Sequence, residues 1–208
     1  MLTKKFNVTR NLPKNFKKVD ADVFNHELNR TFNSILINKK KNVFINDNKF
    51  YLFRYFQFGS RFWRMVEFNR KQKFKVFIKN LYFLTKKKLI NEEIIPLKEA
   101  SWVINEKSHN YFHWYCDVFQ RIEYLISTNH SKKKKIKPIL LTENYINKHY
   151  VQTLLKDFDI PHIYLEKNKI YKIKELDITT HAAPSGNYDP RIITKVSEKL
   201  KTEYLMSE

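Results

Sequence analysis

Glycine is almost missing from this chain: 208 residues hold two, Gly59 and Gly186. Dinucleotide fingerprints and phosphate-cradling P-loops need several glycines close together, so both are excluded. Collagen-like and glycine/serine-linker architectures fall with them. Cysteine is scarcer still. Cys116 stands alone, so no intrachain disulfide can form, and a reducing compartment is expected. No run approaches the ~20 apolar residues of a membrane span. Met1–Val8 carries no apolar stretch behind its lysines, which speaks against a secretory signal. The sequence reads as a cytoplasmic protein.

Acidic side chains are also short in number, 21 against 40 basic ones, for a net charge of +19. A polyanionic partner is the usual inference from such a balance. A plainer cause comes first. Lys, Asn, Ile, Phe and Tyr dominate, and all have A/T-rich codons. Lys outnumbers Arg by 32 to 8, whereas selection for phosphate contacts favours the bidentate Arg fork. Drift does not explain the distribution, however. Residues 1–99 carry 23 basic and 8 acidic side chains, and residues 100–208 carry 17 and 13.

What is abundant can fill a core: 42% of residues are apolar and 15% aromatic. Two regions are expected. Residues 1–93 form a basic N-terminal region. In it, a short helix is expected over Ala21–Phe32. Val43-Phe44-Ile45 and Phe50-Tyr51-Leu52-Phe53 flank a turn-forming Asn46-Asp47-Asn48 cluster, which predicts a β-hairpin. Residues 54–88 hold eleven basic residues against Glu67, with apolar residues at helical spacing. Such a basic amphipathic helix can be solvated, or can lie on an anionic membrane surface, with nucleic acid ranked behind both.

Residues 94–208 read differently. Short extended segments are predicted at Ile94–Leu97, Ser101–Ile104, Lys137–Thr142 and His162–Leu165, with one or two more in Lys169–Thr180. Helices are predicted at Asn110–Ser127 and Asn144–Phe158. Asp189-Pro190 supplies an N-cap and first-turn proline for a last helix. Strands alternating with helices predict an α/β fold with a Rossmann-like parallel sheet, whose ligands sit beyond the carboxyl ends of the strands.

Two Asp-x-Asp triplets, Asp20-Ala21-Asp22 and Asp157-Phe158-Asp159, have a metal-binding spacing but sit where helix caps and turns favour Asp. The concentrated signal is Ser108–Arg121. On a helix, Asn110, His113, Asp117 and Arg121 fall at i, i+3, i+7 and i+11 and share a face. A carboxylate one turn from an imidazole fixes its tautomer and raises its basicity. A surface His–Asp pair without chemistry has the same spacing. His109, His113 and Asp117 at i, i+4 and i+8 suit zinc, but lack the glutamate of H-E-x-x-H. A second candidate loop, His181–Pro190, follows a predicted strand and contains Ser185-Gly186-Asn187.

The block Asn110-Tyr111-Phe112-His113-Trp114-Tyr115-Cys116-Asp117 resembles glycosyltransferase family 61, the capsular polysaccharide biosynthesis type. That family carries Asn-x-x-His-x-x-x-Asp/Glu on a helix, with an Arg one turn on. Asn110, His113, Asp117 and Arg121 match it, and Trp102 and the Ser185-Gly186 loop fit its context. The resemblance spans roughly 94–200. It implies a GT-B-like fold and inverting transfer of a sugar from a nucleotide-sugar donor to a hydroxyl of a polysaccharide or lipid-linked acceptor. It implies no bound metal and no cofactor besides the donor substrate. Asp117 or His113 would be the base, and Asn110, Arg121, Ser185, Gly186 and Asn187 would contact substrate. The sequence stops at Glu208, before the family's donor-binding half. The expectation is therefore one part of a truncated or split enzyme, its other half missing or on a partner chain, held peripherally at the inner face of the membrane by 54–88. The reading from a different class is a non-catalytic basic domain that binds nucleic acid or polysaccharide.

Overall fold

The computed structural model describes residues 6–9, 29–32, 35, 37–46, 49–52, 78, 93–105, 107–180 and 189–205. The basic stretch 54–88 (apart from Ile78), the triplet Asp20-Ala21-Asp22 and the loop residues Ser185, Gly186 and Asn187 lie outside them.

Strands β1 (Phe6–Thr9) and β2 (Asn29–Phe32) form an antiparallel pair, with Phe6 opposite Phe32. The end of the segment expected as a helix is thus a strand. Arg30-Thr31-Phe32 is rich in strand formers, and pairing with β1 overrides a weak helical pattern.

A second sheet has six strands in the order β4-β3-β8-β5-β6-β7. Strand β3 (Ile37–Asn46) and strand β4 (Lys49–Leu52) are the predicted hairpin, with Val43 opposite Leu52 and Asn46 opposite Lys49. Strands β5 (Ile94–Trp102), β6 (Ile139–Thr142), β7 (His162–Leu165) and β8 (Ile170–Thr179) are mutually parallel where they pair. The two segments expected around Pro96 and Trp102 are one strand. Strand β3 joins the sheet antiparallel to β8, from Ile37 opposite Thr179 to Ile45 opposite Tyr171. The fold is mixed α/β with a mostly parallel sheet, and that sheet crosses the boundary expected at residue 93. The parallel core reads as its position demands. Ile139-Leu140-Leu141-Thr142 is buried at every residue, as in a strand covered on both faces.

The link from β5 to β6 is helical. Helix α1 (Tyr111–His113) runs into a π turn (Trp114–Val118) and then helix α2 (Phe119–Ser131). Trp114, Val118, Ile122 and Leu125, the predicted apolar stripe, are all fully buried. Each is worth roughly 1.5–3 kcal/mol in apolar transfer. Ile122→Asp would place a carboxylate in that seam and should unfold the domain. A 3₁₀ turn (Glu143–Tyr145) and helix α3 (His149–Asp157) link β6 to β7, dividing the single helix expected over 144–158.

Asp159 ends α3 in the left-handed region, φ 46°. Its N–H donates to Lys156 O, and Ile160 N–H donates to Leu155 O, a Schellman closure. The second Asp-x-Asp triplet is therefore a helix end, and its Asp157 accepts from Tyr204 Oη at 2.6 Å.

Helix α4 (Pro190–Leu205) opens as predicted. Asp189 Oδ1 accepts from Arg191 N–H at 3.0 Å, and the same carboxylate takes the Arg191 guanidinium through both oxygens. Helix α2 lies against α4, and Phe119 through Leu125 are seven consecutive buried residues. A helix buried all round must satisfy each polar side chain internally. Glu123 does so by accepting from Ser127 Oγ and Lys199 Nζ.

Candidate functional site at the carboxyl end of β5

Strand β5 feeds β6 and β7 on one side, while β8 returns to its other side. The strand order reverses there, and ligands of open α/β sheets gather at such a point beyond the carboxyl ends. Thr179 Oγ1 donates to Trp102 O at 3.3 Å, tying the carboxyl ends of β8 and β5 together.

The chain leaving β5 tightens into a turn. Ser108 Oγ accepts from Asn105 N–H at 2.8 Å and donates to Asn105 Oδ1 at 3.1 Å. Asn110 then caps the helix, its side-chain oxygen accepting from Phe112 N–H at 3.0 Å. That is the ordinary N-cap role of the side-chain oxygen. Tyr150 Oη donates to His109 O at 2.6 Å and fixes the entry to the helix from the α3 side.

His113 and Asp117 meet. Nδ1 of His113 lies 2.6 Å from Oδ2 of Asp117. A carboxylate can only accept, so Nδ1 carries a proton toward Asp117, and the neutral ring would hold its lone pair on Nε2. Asp117 is 6% exposed, while His113 is partly exposed. The carboxylate is thus the buried orienting group, and the imidazole is the one that reaches solvent. His109 does not join them. Among the described residues no three His, Cys, Asp or Glu side chains are grouped to hold a metal ion, so the zinc arrangement of His109, His113 and Asp117 is not formed.

The π turn shapes this pair. Its backbone bonds run to the fifth residue, as from Phe119 N–H to Trp114 O. Such one-turn insertions widen the helix, loosen its hydrogen-bond ladder and recur at functional sites. Two side chains from the next turn reach back to carbonyls of the widened turn. Gln120 Nε2 donates to Cys116 O, and Arg121 Nε donates to Asp117 O at 3.2 Å. Gln120 Oε1 also accepts from Asp189 N–H at 3.1 Å. One buried amide therefore ties the π turn to the start of α4. Neither Gln120's clamp nor the π turn has a marker in the sequence.

Arg121 is 2% exposed, and among the described residues its Nη2 has no hydrogen-bond partner. Burial pushes its pKa down to about 10, with the Asp117 carboxylate acting in the opposite direction. Its neighbourhood is rich in donors. Tyr145 is buried, which raises its phenol well above the ordinary value, against opposing effects of Ser108 and Arg121. The Trp114 ring lies 5.4 Å from that of Tyr145, and Trp114 Nε1 is buried without a partner among the described residues.

A cavity of about 330 Å³ opens between the π turn and α4, lined by Tyr115, Cys116, Ile193, Val196 and Leu200 among others. Neither His113 nor Asp117 lines it. Burial raises the Cys116 thiol, with Asp117 adding to the effect, so the thiol is poorly suited to nucleophilic work. Among the described residues, no helix is long and apolar enough to cross a membrane. The structure thus brings His113, Asp117 and Arg121 into one buried-to-exposed array, and Asn110 to its helical cap. No family model, curated protein or solved structure matches this chain.

Proposed function

We propose that the chain is the acceptor-side part of an inverting glycosyltransferase, similar to family 61 and of GT-B-like layout, acting on a hydroxyl of a polysaccharide or lipid-linked acceptor. The observation that carries this reading is the 2.6 Å bond between His113 Nδ1 and buried Asp117, on the helix that follows β5. Glycosyl transfer with inversion needs one base on the acceptor side and no covalent intermediate.

In this mechanism His113 Nε2 takes the proton of the acceptor hydroxyl. The acceptor oxygen forms its bond to the anomeric carbon as the bond from that carbon to the nucleotide phosphate breaks. The electron pair leaves with the phosphate. Asp117 holds the imidazole in the Nδ1–H tautomer and stabilises the imidazolium that forms. Arg121 grips the Asp117 carbonyl and keeps positive charge behind the pair. The basic residues 54–88 would hold the enzyme peripherally at the cytoplasmic membrane face, near lipid-linked acceptors.

The test is a chromosomal replacement of the gene in its source cell, with glycans profiled by mass spectrometry. Asp117→Asn keeps the shape but removes the carboxylate, and His113→Gln removes the base. Each should cut product by about 10²–10⁴-fold, the usual size of a general-base effect. The surviving product of the wild type should carry an anomeric configuration opposite to that of its donor. Glycan profiles unchanged in both variants would refute the assignment.

A further inference from the structure

The six-stranded sheet carries its charges unevenly on its two faces. Strands β3, β8 and β5 pair in one unbroken register, which decides the side chains that share a face. One face takes Glu99, Glu175 and Asp177. Lys39 and Lys41 stand beside the last two on β3, and Lys137 Nζ lies 3.5 Å from Glu175 and 3.2 Å from Asp177. Both signs are present there, and cross-strand neighbours of opposite charge attract.

The other face is basic. Lys172 and Lys174 stand on β8. Lys98 lies beside Lys174, in the row between the pairs Leu97–Ile173 and Glu99–Glu175, and Lys40 is opposite Leu176 one row further on. Phe44 is opposite Lys172, whose Nζ lies 5.9 Å from the ring centroid. Lys98, Lys172 and Lys174 are exposed, and Lys40 is half-buried. Among the described residues, this face of the three strands holds no carboxylate, and none of its four lysines has an ion pair.

A sheet face that needs only to stay wet gains from mixed signs. Lys98 beside Lys174 is a repulsive arrangement, and folding gains nothing from it. An anionic partner against the face removes the repulsion. Three features identify the partner. Ile94, 54% exposed, and exposed Pro96 lie on the same face of β5, so apolar surface borders the lysines. Single-stranded nucleic acid needs open aromatic faces for its bases, whereas Phe44 is half-buried with an ammonium over its ring. The cations are all lysines, point charges suited to a diffuse field of head groups rather than to a fork on one phosphate. We propose that this face of β3, β8 and β5 docks on an anionic lipid bilayer, with the ammonium groups among the head groups and Ile94 at the interface. The exposed lysines occupy the amino-terminal part of β5 and β8, so the contact leaves the carboxyl ends and His113 free. The inference concerns residues outside 54–88, and it stands whether or not the chain transfers sugar.

Co-sedimentation of the whole chain with vesicles tests it, using phosphatidylcholine alone or mixed with phosphatidylglycerol. The expected result is binding to the anionic vesicles only. Lys98→Gln or Lys174→Gln alone should weaken it about fivefold, and Lys98→Gln, Lys172→Gln and Lys174→Gln together about a hundredfold. Lys156→Gln, Lys195→Gln and Lys201→Gln together remove the same charge from exposed helix positions and should bind nearly as the wild type does. Ile94→Asn should weaken the binding that survives at high salt, where the charges are screened. Thermal melts close to the wild type's confirm the fold, and the single variants carry the test if the triple variant does not fold. Equal loss in both triple variants would overturn the proposal, because net charge and not this face would then be responsible. So would absence of binding to either vesicle. Unchanged vesicle binding in the sheet variant, with lost affinity for a mixed-sequence single-stranded RNA, would give the face to nucleic acid instead.

Discussion

Replacing Arg121 should make the protein more stable while disabling it. The guanidinium is buried at 2% exposure with Nη2 unpartnered among the described residues, and its pKa falls from 12.5 to about 10. That gap corresponds to about 3 kcal/mol of penalty on the charged form in the folded state. Arg121→Leu removes the penalty, and also loses the bond from Nε to Asp117 O, worth about 1 kcal/mol. The net expectation is a gain of about 2 kcal/mol, reduced by whatever the buried Asp117 carboxylate loses when the nearby positive charge goes. For a chain of this size that raises Tm by roughly 4–8 °C. Thermal and urea melts of the wild type, Arg121→Leu and Arg121→Met measure it, with glycan product scored in parallel. A drop in Tm of several degrees in both variants would refute the reasoning, because it would show that the folded state fully satisfies the charge. A gain in Tm with loss of product would mean that this positive charge is kept for function at the expense of stability.

Asp189→Ala should cost about 1–2 kcal/mol in urea denaturation, since one carboxylate both caps α4 and takes the Arg191 fork. Gln120→Leu should likewise lower stability by about 1–3 kcal/mol, because it strands the buried Asp189 N–H and removes a donor from the Cys116 carbonyl. Stability should fall as pH rises past 9. Burial raises Cys116 above 9.0 and Tyr145 above 10.0, so the folded state there holds more protons than the unfolded one. The lowered Arg121 opposes this as pH approaches 10, so melts of Arg121→Leu between pH 8 and 10 isolate the effect. A flat profile over that window would contradict it. Flotation with anionic vesicles, absent with neutral ones, is the expected behaviour if 54–88 holds the protein to a membrane.

Periodicity made much of the α/β core readable. The stripe Trp114, Val118, Ile122 and Leu125 announced a buried helical face, and Ile139–Leu141 announced a covered strand, because burial selects residues one by one along the chain. Asp189-Pro190 was readable because a cap is chemistry confined to neighbours. What could not be read depends on distant partners. Strand β2 exists because β1 pairs with it, and a four-residue strand leaves no period of its own. The π turn is one inserted residue's worth of widening, and Gln120 looks like any surface glutamine until the buried Asp189 N–H is placed beside it. The spacing of His113 and Asp117 indicated that they would meet. It did not say that the carboxylate would be the buried member, which is what assigns the orienting role to Asp117. Asn110 matched the same pattern and also caps its own helix.

The pairing of β3 with β8 has a consequence for how the chain is made. Asn46 Nδ2 donates to Lys169 O across 123 residues of sequence. At roughly 5–20 residues per second, the ribosome delivers β8 about 6–25 s after the hairpin has emerged. Throughout that interval the outer edge of β3, with Val43 and Ile45 destined for the core, has no strand to bind. Lys39, Lys40 and Lys41 lie along that edge, and their mutual repulsion discourages two nascent hairpins from pairing with each other. Part of the chain's surplus of lysine is thereby useful before the protein has finished folding.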